Sequence, residues 1–296
     1  MEPQDKIEIL PVGLLENNRP LVNELRRLAR MLGLDFGWHY LLDLTWIISQ
    51  LEWIEGCDIM DAGAGLGVMQ WYLAECGANV LSVDRASRAN IPLRFRKRYR
   101  VQAKTENQPF SSPLKALVYN FNHMGGLSGK VKYLWRDLSG TISFSEAPGR
   151  VIIYDHSMDN LSEIPSESLD AIVAVSALEH NQPEELEKVV VELMRLLKPG
   201  CQLLATLGAA RDQDWFHEPS KGWCYTEASL RRIFKLSPDS PSNYDRYDEL
   251  FSQLKGCAEL RDNLAGFYFK SGDTGMPWGK WDPQYQIVGV CKVKEK

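Results

Sequence analysis

Apolar residues recur at helical spacing in the first part of the chain. In residues 21–31 (LVNELRRLARM) this spacing predicts an amphipathic helix that stops near Gly33. A second helix is predicted over residues 40–55, with one apolar face. Residues 1–20 show no such period, so we expect an irregular arm there. Residues 1–56 are therefore predicted to form a helical cap at the N-terminus.

From residue 58 onward, short apolar runs alternate with amphipathic segments. Strands predicted over 59–62 and 80–83, with a helix over 68–76 between them, form a βαβ unit and imply a parallel sheet. The same pattern predicts further strands over 151–154, 171–176, 202–207 and 286–293, and helices over 183–197 and 226–234. We therefore expect a single Rossmann-like α/β domain that spans residues 1–296.

Residues 86–149 interrupt this alternation. A tight crossover between parallel strands needs far fewer residues, so a largely helical insertion after the second strand is predicted. Because it leaves the sheet at the carboxyl edge, we expect it to cover the acceptor side of a pocket as a lid. It contains the basic run 94–100 (RFRKRYR). This run is either a patch for a phosphate-bearing acceptor, RNA or an anionic membrane surface, or a solvated helix face that pairs with nearby acids.

A glycine-rich loop, residues 61–67 (DAGAGLG), lies between the first predicted βαβ strand and its helix. Glycines there allow a sharp turn and let a ligand approach the backbone closely. Asp84 stands at the end of the next predicted strand, where a carboxylate can accept both hydroxyls of a ribose. Loop and acid together predict a site for a nucleoside-type cofactor, with a purely structural turn as the alternative.

The spacing of the loop favours S-adenosylmethionine (SAM) over a dinucleotide. A dinucleotide fingerprint needs a third small residue where this chain has Val68, whose branched side chain would crowd the helix against the strand. SAM has no pyrophosphate, and its methionine end carries an ammonium that a nearby carboxylate stabilises. Asp61, just before the glycines, supplies such a carboxylate.

Three motifs resemble those of the class I SAM-dependent methyltransferases: residues 59–84, residues 169–180 and the sequence LLKPG at 196–200. The nearest subgroup in appearance is that of small-molecule O-methyltransferases, including the ubiquinone type. The resemblance covers roughly residues 57–85 and 150–207, and the motifs occur in the family's order. It implies a three-layer α/β/α methyltransferase fold with a mostly parallel, seven-stranded sheet.

The resemblance also implies roles for individual positions. The acid and glycines of the loop would hold the methionine moiety, Asp84 the ribose, and Arg85 would flank the adenine. Met158 is the preferred residue to pack on the adenine, while Asp155 and Asp159 both stay open as readers of its amino group. The predicted cofactor-binding set is Asp61, Gly63, Ala64, Gly65, Asp84, Arg85, Ser157, Met158 and Ser176.

A hydroxyl acceptor would require a general base. His180 follows the fourth predicted strand of the α/β alternation, at the sheet edge where ligands bind, and is the preferred base, with Glu179 assisting. The alternative is a polar helix-entry pair that faces solvent. His217 is a second candidate from the same rim. Residues 37–40 (GWHY) either close over the cofactor or acceptor, or attach the N-terminal helix to the core.

Composition excludes several other classes of protein. The formal net charge of −5 argues against a general nucleic-acid binder. No apolar run reaches the length of a transmembrane segment, and the first residues lack the order of a secretory signal. The six cysteines are scattered, so we expect no metal site and a cytoplasmic location.

The sequence therefore predicts a SAM-dependent methyltransferase that methylates a hydroxyl of a small molecule or glycan and releases S-adenosylhomocysteine. Two alternatives remain open. One is a methyltransferase for RNA or another phosphate-rich acceptor, and the other is a catalytically silent binding partner that keeps the SAM fold.

Overall fold

The computed structural model describes residues 3–143, 145–269, 276 and 280–296. Its strands are β1 (Lys6–Ile9), β2 (Asp58–Ala62), β3 (Asn79–Asp84), β4 (Gln102–Ala103), β5 (Arg150–Asp155), β6 (Leu169–Val175), β7 (Leu197–Ala209), β8 (Trp215–His217), β9 (Gly222–Tyr225) and β10 (Gln286–Val293). Its α-helices are α1 (Gly13–Asn17), α2 (Arg19–Leu32), α3 (Tyr40–Gln50), α4 (Val68–Glu75), α5 (Leu93–Arg98), α6 (Pro113–His123), α7 (Gly126–Ser143), α8 (Pro183–Leu196), α9 (Glu227–Ile233), α10 (Tyr247–Lys255) and α11 (Ala258–Arg261). Within these ranges, no helix is long and apolar enough to cross a membrane.

The strands form one sheet in the order β1-β10-β7-β6-β2-β3-β5-β4, with β9 joined to β7 and β8 joined to β9. The strands from β4 to β7 are parallel, and β10 runs antiparallel between β7 and β1. Helices α3 and α4 pack on one face of the sheet, and α8 packs on the other with α9 against it. The predicted three-layer, Rossmann-like fold with a mostly parallel sheet is confirmed.

Among the described residues the sheet has ten strands and not the predicted seven, and one of the strands that the sequence did not predict lies in the arm expected to be irregular. Six strands lie where the apolar runs predict them, and β1, a further strand of four residues, pairs antiparallel with β10 at the sheet edge. Its Ile7 and Ile9 are buried, while Lys6 and Glu8 alternate with them. Four residues are too few for a period to be recognised, and their partner strand lies at the opposite end of the chain. The irregular arm over 1–20 is therefore wrong, and the cap over 1–56 includes a strand.

Helix α3 attaches the N-terminal segment to the sheet. It begins at Tyr40 as predicted but ends at Gln50 rather than at residue 55. Its Trp46 is fully buried over Gly289 of β10, where a Cβ would come within 2.6 Å of the indole. The indole N–H also donates to Glu8 Oε2 of β1 over 2.9 Å. One tryptophan thus links α3, β10 and β1.

The insertion over 86–149 is largely helical, as predicted, and it docks on α4. Phe95 and Tyr99 of the α5 region lie against Trp71 of α4, with ring centroids 4.7 and 4.8 Å from that indole. Asp137 of α7 is fully buried and accepts hydrogen bonds from the backbone N–H and the guanidinium of Arg94, both at 3.1 Å. Stacked rings and a buried ion pair therefore hold α5 between α4 and α7.

The basic run 94–100 binds acceptors within the protein. The Arg94 guanidinium donates to the carbonyl of Leu32 over 2.8 Å, in addition to its pair with Asp137. Arg96 donates to three backbone carbonyls at 2.6–2.9 Å. Arg98 forms two 2.7 Å hydrogen bonds with the Glu75 carboxylate. The predicted pairing with nearby acids is thus confirmed for two cations, Arg94 and Arg98. The run attaches the insertion to the core instead of forming a binding patch.

Replacing Arg98 should therefore lower stability. In Arg98→Met we expect the free energy of unfolding to fall by about 1–3 kcal/mol, because Glu75 loses a two-point, charge-assisted partner in a largely buried place. Urea unfolding measures this, with Lys104→Ala, at an exposed position after β4, as the control. Equal stability of the Arg98 and Lys104 variants would show that the pair does not hold the insertion.

Candidate active site

The strand order reverses beside β2, which lies between β3 and β6. In open α/β sheets, ligands bind outside the carboxyl ends of the strands at such a switch point. A cleft of about 410 Å³ opens there. It is lined by residues from the N-terminal helices and from the segments after β2, β3, β5 and β6: Leu34, Asp35, Tyr40, Leu44, Asp61, Gly63, Ala64, Gly65, Leu66, Gly67, Val68, Met69, Asp84, Arg85, Met158, Val175, Ser176, Ala177 and His180.

The glycine loop forms the floor of this cleft in a conformation that requires glycine. Gly63 and Gly65 have φ values of +76° and +48°, in the left-handed region that side chains disfavour. A Cβ on Gly63 would come within 2.3 Å of the Ala177 side chain, so the loop after β2 touches the loop after β6. The backbone N–H groups of Gly63 and Ala64 donate to the carbonyl of Val83. The predicted turn is thereby fixed against β3.

Gln70 of α4 holds this loop from beneath, a role that the sequence analysis missed. Its side chain is fully buried, and Nε2 lies 3.2–3.4 Å from the carbonyl oxygens of Gly67, Gly65 and Ala64. Its Oε1 accepts a 2.8 Å hydrogen bond from Ser82 Oγ. The available signal was an amide in an otherwise apolar helix start, since a buried polar side chain needs partners.

Gln70→Leu is expected to loosen the loop and weaken cofactor binding without unfolding the protein. Three loop carbonyls would lose their shared donor while the volume of the side chain is roughly kept, so we expect a loss of about 1–2 kcal/mol in affinity for SAM. Isothermal titration measures it, with Gln253→Leu on the exposed side of α10 as the control. An unchanged affinity for SAM would remove Gln70 from the positioning of the loop.

Asp84 is held by two backbone amides at the mouth of the cleft. Its Oδ2 accepts from the N–H of Gly65 and its Oδ1 from the N–H of Ala86, both over 2.8 Å. A carboxylate has about four lone-pair sites, so both oxygens can accept further hydrogen bonds. The side chain is thus oriented for a ligand hydroxyl while it joins the loops after β2 and β3.

Asp61 presents an unpartnered carboxylate oxygen where β2 meets the loop. The side chain is almost fully buried, and Oδ2 has no hydrogen-bond partner among the described residues. Burial raises the pKa of Asp61 to about 7, and the positive charge of Arg88 opposes that rise. A buried polar atom without a partner is rare in folded proteins and marks a place for a ligand donor. The ammonium of a methionine group fits this requirement.

Arg88, also missed by the sequence analysis, forms an ion pair with Asp155, one of the two acids considered as contacts of the adenine amino group. Its buried guanidinium donates to Asp155 Oδ1 and to the carbonyls of Ser82 and Tyr154, each over 2.9 Å. Asp155 therefore joins β5 to the segment after β3 and does not line the cleft. Asp159 is exposed and outside the lining as well.

Other predicted cofactor residues divide between lining and non-lining positions. Ala64, Arg85 and Met158 line the cleft, whereas Ser157 does not. Ser176 lines it with φ at +46°, a conformation that residues other than glycine rarely adopt and that is concentrated at functional sites. The structure therefore brings together every residue of the predicted set except Ser157.

The predicted catalytic pair is separated by burial. His180 lies on the cleft wall with an exposed ring, and its Nδ1 lies 2.9 Å from the carbonyl of Lys221. Glu179 is buried behind the wall, where its Oε1 accepts from Ser176 Oγ. Burial also raises the pKa of Glu179. The Lys221 carbonyl, and not Glu179, contacts the Nδ1 of His180, and a role of Glu179 in orienting the imidazole stays a prediction.

The N-terminal segment contributes Leu34, Asp35, Tyr40 and Leu44 to the lining of the cleft. Tyr40 lines it, while Trp38 and His39 pack against Tyr285 of the C-terminal segment. Residues 37–40 thus contribute both to the cleft and to the core. His217 lies against Tyr285 with ring centroids 5.1 Å apart and does not line the cleft. Among the described residues of 86–149, none contributes to the lining, so a lid role for the insertion stays a prediction.

Comparison with known proteins gives one match in sequence and several in fold. Residues 141–205 match the family model described as a methyltransferase domain. No curated protein matches the chain in sequence.

Three solved structures illustrate the similarity in fold. A TehB-like SAM-dependent methyltransferase from Corynebacterium glutamicum is 13% identical, with 95% of this chain and 99% of that chain covered and a TM-score of 0.41. Magnesium protoporphyrin IX methyltransferase from Synechocystis, with bound SAM, is 13% identical over 92% and 83%, with a TM-score of 0.39. A phosphoethanolamine N-methyltransferase from Haemonchus contortus is 13% identical over 96% and 60%, with a TM-score of 0.48. Similarity at this level says nothing about the acceptor.

The matched segment contains β5, β6, α8 and most of β7, which follow the glycine loop and its two acids in the chain. These elements build one cleft at the switch point of a mostly parallel sheet. Residues 141–205 therefore match a methyltransferase domain, and residues of this segment line the cleft beside the glycine loop.

Proposed function

We propose that this chain is a methyltransferase that uses S-adenosylmethionine to methylate an oxygen of a small molecule or glycan, with His180 as the general base. One observation carries the proposal: His180 shares the wall of a single cleft with Asp61, Asp84 and the glycine loop. A carbonyl can only accept a hydrogen bond, so the Nδ1 of His180 is the protonated nitrogen in the contact with Lys221. The Nε2 lone pair of the neutral ring is then available to take a proton.

The two acids proposed to contact the cofactor have oxygens that can accept further hydrogen bonds. Asp61 would accept from the ammonium with its unpartnered oxygen, and Asp84 would accept from the ribose hydroxyls. Gly63 and Gly65 would let the methionine moiety approach the backbone. Arg85 and Met158 would flank the adenine. Ala64 and Ser176 line the same cleft and complete the contacts, while the assignment of Ser157 has no support from the lining.

SAM would supply a methyl group on its sulfonium, and the acceptor oxygen would take this group as the carbon–sulfur bond breaks and S-adenosylhomocysteine leaves. His180 would remove the acceptor's hydroxyl proton, which makes the oxygen a better nucleophile. Tyr40 and Leu44 of α3 line the cleft and would exclude water and fix the orientation of the acceptor. Holding two reactants in the right geometry accounts for much of the catalysis in such a reaction. Glu179, behind the wall, would act by positioning Ser176.

The two alternative functions have less support. An RNA or phosphate-rich acceptor would need cations near the cleft, but the basic run binds backbone carbonyls and carboxylates of the protein itself. A silent partner that no longer bound SAM would not require the buried, unpartnered carboxylate of Asp61, and one that still bound SAM would not require an imidazole on the cleft wall.

Transfer of a labelled methyl group tests the proposal directly. The purified protein is incubated with methyl-labelled SAM and three acceptor pools: hydroxylated small molecules, oligosaccharides and RNA. We expect label in one of the first two pools, with Asp84→Ala as the inactive control because it loses the ribose acceptor. Label in RNA alone would contradict the proposal, and SAM binding without transfer to any pool would favour the silent partner.

A further inference from the structure

The exposed large apolar side chains of the described chain are concentrated on the helical hairpin formed by α6 and α7. Most of them belong to this hairpin, which we define as residues 113–143: Leu114, Val118, Tyr119, Met124, Leu127, Val131, Trp135, Leu138 and Ile142. The exposed fractions of Leu127, Trp135 and Ile142 are 78%, 76% and 81%. Contiguous apolar surface of this kind marks a place of contact with another surface.

Helix α7 has two distinct faces: one packs on the protein, and the other exposes apolar side chains. Its exposed apolar residues, from Leu127 to Ile142, fall within an arc of about 80° on a helix of 3.6 residues per turn. On another face Tyr133, Asp137 and Gly140 are buried, and this face packs on α5. The helix therefore docks on the protein through one side and holds an apolar stripe away from it.

The charge of the hairpin indicates what the stripe contacts. Lys115, Lys132 and Arg136 are exposed, whereas Asp137, the hairpin's sole acidic residue, is buried in its ion pair with Arg94. The surface of the hairpin is thus positive on a chain whose formal net charge is −5. Helices that lie in a lipid interface combine such lysines and arginines with leucine, isoleucine and tryptophan.

We propose that the hairpin of α6 and α7 docks the protein on a membrane surface that contains anionic phospholipids. The apolar stripe would enter the boundary between head groups and acyl chains, and the flanking cations would contact lipid phosphates. Arg136 packs directly on Gly33, next to Leu34 and Asp35 of the cleft lining. Docking through α7 would therefore bring the rim of the cleft close to the lipid surface. This proposal stands independently of the acceptor and of the base.

Vesicle sedimentation tests the docking with the full chain. We expect binding to phosphatidylcholine vesicles that contain about 30% phosphatidylserine, and binding at least about tenfold weaker to phosphatidylcholine alone. The triple variant Leu127→Ser, Trp135→Ser, Ile142→Ser should lose at least about tenfold in vesicle affinity. Its matched control is Trp53→Ser with Val191→Ser, two exposed apolar positions outside the hairpin, which should bind as the parent chain does.

Thermal unfolding shows whether the triple variant keeps its fold. If it does not, Lys115→Glu with Lys132→Glu changes only exposed cations and should also weaken binding at least about tenfold. No binding of the parent chain to the anionic vesicles, or equal binding by the parent and the folded variants, would overturn the proposal. Sedimentation velocity without vesicles tests whether a second copy of the chain binds the apolar stripe instead. A dimer of the parent chain that the triple variant abolishes, with no vesicle binding, would assign the stripe to a second copy.

Discussion

His180→Ala is expected to lower methyl transfer about 10²–10⁴-fold, the range that a positioned general base contributes. Affinity for SAM should stay within a few-fold of the parent value, because the imidazole lies on the cleft wall and is not needed to hold the cofactor. Turnover of the parent enzyme should rise with pH, because only the neutral form of a general base can take a proton. The rise should be absent from the variant. Steady-state kinetics at several pH values, with titration of SAM, measure both effects.

His123→Ala is the matched control for this experiment. The Nδ1 of His123 also lies against a backbone carbonyl, that of Tyr119, but the ring is exposed on α6 and outside the cleft lining. If His180→Ala keeps most of the turnover and the pH profile of the parent enzyme is flat, proximity alone suffices and no general base acts. Because the ring of His217 is buried away from the cleft, a base at that position would require a movement of the C-terminal segment.

Asp61→Asn is expected to abolish most cofactor binding and yet to stabilise the cofactor-free protein. The loss of a charged partner for the ammonium should cost about 2–5 kcal/mol of affinity for SAM. In the parent protein this affinity should rise between pH 6 and 8, because the carboxyl, with its pKa near 7, must ionise to bind a cation. Titration calorimetry at these pH values measures the change.

The stability effect of Asp61→Asn follows from the sign of the same pKa shift. Because the pKa of Asp61 is raised from 3.8 to about 7, the folded state keeps the proton longer than the unfolded chain does. The parent protein therefore loses stability as pH rises from about 4 to about 7, by up to about 4 kcal/mol, and the loss persists above pH 7. Asp61→Asn should remove this loss and unfold at a higher temperature than the parent at pH 8, but not at pH 4.

Asp58→Asn, at the exposed opposite end of β2, is the control for the Asp61 measurements. It should change neither SAM affinity nor the pH dependence of stability. An Asp61→Asn protein with parental stability at pH 8 and parental affinity for SAM would show that folding does not raise the pKa of Asp61 and that its carboxylate is remote from the cofactor.

The sequence by itself determined the features that depend on neighbours along the chain. The α/β alternation is visible because each long strand and helix contains its own period or apolar run. The glycine loop is visible because left-handed φ values at Gly63 and Gly65 are a local requirement, and Asp84 because it directly ends a strand. Six of the ten described strands, the helical character of the insertion and most of the cleft's cofactor-side residues were therefore predictable.

Only the tertiary structure decided which polar groups are committed to partners elsewhere in the chain. The sequence of the basic run 94–100 predicted either a binding patch or a solvated helix face, but its arginines donate to carbonyls and carboxylates of other segments. Asp155 was one of the two acids predicted as contacts of the adenine, but its carboxylate accepts a hydrogen bond from Arg88. A side chain's availability depends on what packs against it, and such contacts join positions that are far apart in sequence.

The same reason explains β1, Gln70 and the separation of Glu179 from His180. The β1 strand is stable only as the edge partner of β10, and the role of Gln70 exists only where the loop carbonyls meet it. Glu179 and His180 are adjacent in sequence, yet one is buried and the other exposed because the chain turns between them in a short 3₁₀ helix. Local pattern therefore determined the fold and the kind of cofactor, whereas burial and long-range pairing decided which residues face the cleft.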